Sequence, residues 1–86
     1  MPFELALPAR FRKQWRVKIY DNERLEPPHV TIIHRTTRWR FGLRDGRFLE
    51  DDPPVHEVDG AVLKQVAENL ELLRIEWNRM YPGNPV

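Results

Sequence analysis

Three histidines and eleven arginines are the side chains with the most chemistry to offer in this 86-residue sequence. His29 follows Pro27-Pro28 and opens the β-branched run Val30-Thr31-Ile32-Ile33. Neither proline can donate a ladder hydrogen bond, and Pro28 holds Pro27 extended, so His29 is fixed at a sheet rim. There it is a candidate acid or base, within reach of Asp21 or Glu23 across a turn, with arginines to stabilise developing phosphoryl charge. Histidine with arginine and no metal is a sufficient kit for a small ribonuclease. The plainer reading is that the imidazole caps the strand while the prolines blunt a sheet edge. His29 and His34 are five residues apart, so they face opposite ways on one strand, and His56 sits in a proline-rich loop. No His/Asp/Glu spacing matches a metal motif, no cofactor is implied and no small-molecule ligand is inferred.

The elements that must position these groups follow from periodicity. Trp15, Val17 and Ile19 alternate with Arg16, Lys18 and Tyr20, which predicts a half-buried strand. Asp21-Asn22-Glu23-Arg24 is a polar turn. The diproline then launches a second strand, with Val30 and Ile32 facing the core and Thr31, Ile33 and Arg35 facing outward. Thr36-Thr37 turns the chain into a third strand, where Trp39, Phe41 and Leu43 alternate with Arg38, Arg40, Gly42 and Arg44. Asp45-Gly46 signals a type I′ hairpin, and Arg47-Phe48-Leu49 reads as a short fourth strand.

Asp59 is a helix N-cap and Pro82-Gly83 a stop. Between them Val62, Leu63, Val66, Leu70, Leu73, Trp77 and Tyr81 form one apolar stripe. The fold class is therefore α+β: an antiparallel three- to four-stranded β-meander with one long C-terminal helix across one face. Residues 1–13 are a tail or an irregular edge strand, 14–82 the single domain, and 83–86 a C-terminal tail. A helix of about 22 residues would run roughly 33 Å against ~17–20 Å for the strands, so part of it should overhang. Trp15, Trp39 and Trp77 are expected to meet in the core.

The outward sheet face gathers Arg16, Lys18, Arg35, Arg38, Arg40 and Arg44, with Tyr20 at its end. Cations on successive strands beside an aromatic suit a phosphate backbone and a stacked base; the alternative is an ordinary solvated face. Charge is divided along the chain: residues 1–50 carry 11 Lys/Arg against 6 Asp/Glu, and residues 51–86 carry 3 against 7. Such a split favours a partner of complementary charge. On the helix, Leu72 and Ile75 fall opposite the apolar stripe beside Glu68 and Arg79. Leu72, Ile75 and Arg79 are the candidate contact for a protein partner or a second copy. There is no cysteine, no apolar run of membrane-spanning length and no signal-peptide pattern, so a reduced cytoplasmic setting without membrane contact is expected.

Val17-Lys18-Ile19-Tyr20, Glu26-Pro27-Pro28-His29-Val30, Trp39-Arg40-Phe41-Gly42-Leu43 and Asn69-Leu70-Glu71-Leu72-Leu73 with Trp77 occur in this order. The arrangement, over about residues 15–81, resembles the small bacterial domain-of-unknown-function family 4160, whose members carry a Pro-Pro-His-x-His signature. This chain has Thr31 where the second histidine stands, so the resemblance carries over His29 alone. It implies a neighbouring small protein partner, in a toxin–antitoxin-like or regulatory pair. The leading expectation is a non-enzymatic interaction module whose basic sheet face takes nucleic acid or an acidic protein; the alternative is a metal-independent ribonuclease-type toxin using His29.

Overall fold

The computed structural model describes residues 2–22 and 25–86. Four antiparallel strands, β1 (Phe3–Glu4), β2 (Trp15–Ile19), β3 (His29–His34) and β4 (Thr37–Gly42), lie in the order β1-β2-β3-β4. Two helices, α1 (Gly60–Glu68) and α2 (Leu70–Met80), follow a short 3-10 turn at Val55–Glu57. The fold is α+β, as the periodicity indicates.

Alternation sets the two sheet faces. Register pairs Val17 with Ile32, and Ile32 with Trp39, so apolar residues of three strands form one inner surface. Against it pack Val62, Val66, Leu73 and Trp77, all without solvent exposure. The sheet's extra strand comes from the N-terminus rather than from Arg47-Phe48-Leu49. Phe3 pairs with Ile19, and Leu5, Leu7 and Phe11 continue into the core. Arg47-Phe48-Leu49 forms only a bridge, Phe48 to Phe41.

The reason lies in Leu43. It is fully buried, and its N–H donates to the Pro28 carbonyl at 2.9 Å, so the chain dives inward before turning. Gly46 alone in that loop has positive φ, at 70°, whereas a type I′ turn requires it at both central residues. Gly42 sits where the returning chain crosses closely: its N–H donates to the Arg47 carbonyl at 2.7 Å, and a β-carbon would lie 2.8 Å from that oxygen. The preceding hairpin turns one residue earlier than expected, at Arg35-Thr36, because His34 and Thr37 are already a cross-strand pair.

The single long helix is divided at Asn69. Its amide Nδ2 donates to the Gln65 carbonyl at 2.7 Å, and its ψ of 17° departs from helical geometry. Asparagine commonly competes in this way with helical hydrogen bonding. At 1.5 Å per residue the halves run about 14 and 17 Å, no longer than the strands they cover. Asp59 caps α1, accepting from the Ala61 N–H at 2.8 Å. Residues 82–86 fold back: Trp77 Nε1 donates to the Asn84 carbonyl and Asn84 Nδ2 to the Glu26 carbonyl, each at 2.7 Å.

All three tryptophans belong to the one buried core, in two separate aromatic groups. Trp15 stacks on His34 and Trp39, with ring centroids 4.2 and 5.9 Å apart. Trp77 instead neighbours His29 and Tyr81, at 5.6 and 4.2 Å. Among the described residues, no helix is long and apolar enough to cross a membrane.

Candidate functional site

The outward sheet face carries the strongest local charge. A cavity of about 380 Å³ is lined by Arg12, Lys13, Arg16, Lys18, Arg35 and Arg38, with Gln14, Tyr20 and Ile33 completing it. Among the described residues no carboxylate lines it. Strand geometry explains the convergence. Arg16 and Lys18 are alternate residues of β2, Arg16 pairs with Ile33, and Ile33 pairs with Arg38, so three strands present one cationic floor. Lys18 Nζ lies 3.8 Å from Glu4 Oε1 on the edge strand, a distant and half-exposed pairing.

Arg35 reaches the cavity from the β3–β4 hairpin tip, where its φ is 57°. A β-carbon in the left-handed region is strained, and such strain is frequent at ligand sites. The Arg38 guanidinium carbon lies 5.8 Å from the centre of the Tyr20 ring, a cation–π distance. Arg12 and Lys13 were not among the expected site residues. They precede β2 in a segment without strand periodicity, and only their adjacency to Trp15-Arg16 marks them in the sequence.

Two expected members are placed elsewhere. Arg40 is neutralised: it pairs with Glu26, and its Nε donates to Glu50 Oε1 at 2.7 Å. That hydrogen bond, opposed by desolvation and aided by the charges of Arg40 and His29, holds the Glu50 carboxyl below its ordinary range. Arg44 lies beyond the end of β4, so strand alternation no longer directs it. Its guanidinium donates to the Pro85 carbonyl at 3.0 Å on the C-terminal tail.

His29 is 1 % exposed, and its Nδ1 lies 2.8 Å from the Pro27 carbonyl oxygen. With Trp77 against the ring, this environment fits the strand-capping reading. Glu23, proposed as its partner, lies outside the described residues, and Asp21 lines a different cavity with Leu25 and Met80. Thr31, two residues further along β3, is 5 % exposed. His34 stacks on Trp15, and His56 is exposed in the 3-10 turn. Among the described residues no three His, Asp or Glu side chains come together in a form able to hold a metal ion.

The helix contact is also placed. Leu72 and Ile75 are 41 and 54 % exposed on α2, and Arg79 donates to Glu76 one turn back at 2.6 Å. These residues lie across the helical layer from the cationic floor. Compared with known proteins, the chain matches no family model, no curated protein and no solved structure.

Proposed function

We propose that this protein is a non-enzymatic interaction module that holds the phosphate backbone of a nucleic acid on the basic end of its sheet. The observation that carries this reading is one cavity lined, among the described residues, by six cations and no carboxylate. Like charges gathered in this way repel, and a polyanion relieves the repulsion while gaining counterion-release entropy. The cations come from a loop, two strands and a hairpin tip. That spread suits an extended chain of phosphates better than a single small anion. The expected activity is binding without turnover.

A protein contact at Leu72, Ile75 and Arg79 accompanies this reading, supported by the exposure of two large apolar side chains on the helical side. The family resemblance of Pro27-Pro28-His29 supports a small protein partner for that side.

Fluorescence anisotropy with labelled single-stranded RNA and duplex DNA, between about 50 and 200 mM salt, tests the sheet face. Affinity is expected to fall steeply as salt rises. The triple variant Arg16→Ala, Arg35→Ala, Arg38→Ala should lose more than tenfold in affinity, whereas Lys64→Ala on α1 should not. A flat salt dependence removes the reading.

A further inference from the structure

The sheet face changes character across one pair of side chains. Tyr20 and Arg38 line the basic cavity and also a neighbouring one of about 540 Å³, shared with Thr31, Arg40 and the carboxylates of Glu26, Glu50 and Asp52. Among the described residues, six cations and no carboxylate line one side; beyond the shared Arg38, the other side holds three acids and Arg40, which is already paired with two of them. Because Tyr20 follows β2 and Arg38 belongs to β4, their side chains meet across β3. The Arg38 guanidinium lies over the half-buried Tyr20 ring, and this stacked pair, exposed on the Arg38 side, forms a platform at the boundary between the two cavities.

Aromatic rings and guanidinium planes are the surfaces on which unpaired bases stack. A duplex offers phosphates to the basic cavity but keeps its base faces stacked inside. The platform therefore has a use only for a single strand. The adjoining carboxylates then sort the base, since an ionised carboxylate accepts hydrogen bonds and donates none. Arg40 holds Glu26 and Glu50 beside the platform, and the hydrogen bond from Arg40 keeps Glu50 ionised. Guanine presents two parallel donors, N1–H and N2–H, on its Watson–Crick edge. Uracil presents one N–H between two carbonyl oxygens, which a carboxylate repels.

We propose that the sheet face binds single-stranded nucleic acid with a guanine stacked on the Tyr20–Arg38 platform. Its N1–H and N2–H donate into the Glu26, Glu50 and Asp52 cavity, and the adjoining phosphates lie among the cations. The proposal rests on the polyanion reading of the basic cavity and adds to it a strand state and a base.

Anisotropy at one fixed salt concentration tests it, using labelled twelve-nucleotide oligouridine, the same oligomer with one central guanosine, and a twelve-base-pair RNA duplex. The guanosine oligomer is expected to bind about tenfold tighter than oligouridine, the order of one bidentate base contact, and the duplex more weakly than either. Asp52→Asn combined with Glu50→Gln should bring the guanosine-to-uridine ratio close to one. Tyr20→Ala should abolish the preference for single strand over duplex, and Tyr20→Phe should restore it. Equal affinity for the two oligomers, or a duplex bound as tightly as a single strand, overturns this proposal; if binding still weakens steeply with salt, the polyanion reading stands. Salt-independent binding, or none, overturns both.

Discussion

Arg35 shows how a single residue can serve the site at the expense of the fold. With φ at 57° it occupies backbone space that glycine tolerates better. Replacing it with glycine removes the strain on a β-carbon, about 1–2 kcal/mol, and returns part of that through a more flexible unfolded chain. Arg35→Gly is therefore expected to raise stability by about 0.5–1 kcal/mol in urea denaturation, while weakening RNA binding several-fold. A variant that loses both would make the arginine a structural residue. Glu50 gives a pH prediction at the same scale. Its folded carboxyl titrates below the ordinary range because Arg40 hydrogen-bonds it. Its contribution to stability is present above the unfolded pKa and is lost as pH falls through the folded one. Thermal unfolding of Glu50→Gln should differ from wild type most near neutral pH, and the difference should vanish under acid conditions. The effect will be small, since both side chains are substantially exposed and solvent screens the pair.

At the scale of elements, the helical layer is held by its N-cap, its break and its buried stripe. Asp59 satisfies one of the donors that open α1. Asp59→Ala should cost about 1 kcal/mol, read as a lower urea midpoint at unchanged slope. The break at Asn69 preserves the apolar stripe: Val62 and Val66 before it and Leu73 and Trp77 after it are all fully buried. Arg74 ties α2 to the far hairpin, its Nε donating to the Leu43 carbonyl at 2.7 Å. That contact, with Asn84 bonded to the Glu26 carbonyl, clamps the segment leading into the diproline. His29 itself is closed in by Trp77 of α2, whose ring centroid lies 5.6 Å from that of the imidazole.

For the whole molecule, the excess of cations in the first half of the chain is gathered at one end of the outward sheet face. All six cavity cations come from the first 38 residues, whereas α1 and α2 carry three acids, Glu68, Glu71 and Glu76, against three cations, Lys64, Arg74 and Arg79. The sheet therefore presents a positive field outward while α1 and α2 cover the opposite face. If the basic cavity neutralises four or five phosphates of a single strand, the logarithm of the binding constant should fall with the logarithm of salt at a slope of about −3. A slope near −1 would mean that the cations act singly rather than as one surface. Leu72 and Ile75 lie on the helical layer, so a protein partner there would leave the sheet face open.

Local pattern by itself determined β2, β3 and β4, their inward and outward faces, the Asp59 cap and the apolar stripe that runs through α1 and α2. Each depends on neighbours a few residues apart, which the sequence displays directly. It also marked Arg16, Lys18 and Arg38, because alternation within a regular strand fixes the face of each side chain; Arg35 reaches the same cavity from the hairpin tip, outside that alternation. Tertiary structure decided the rest. Arg40 left the cationic group because Glu26 and Glu50, from beyond two different turns, converge on it. Arg44 left because burial of Leu43 ends the strand before it. Arg12 and Lys13 joined because the N-terminal chain pairs along β2 and brings its loop to the sheet surface. The burial of His29 likewise depends on Trp77, 48 residues away in sequence. Pairings over such separations are set by how whole elements pack, and no local spacing encodes them.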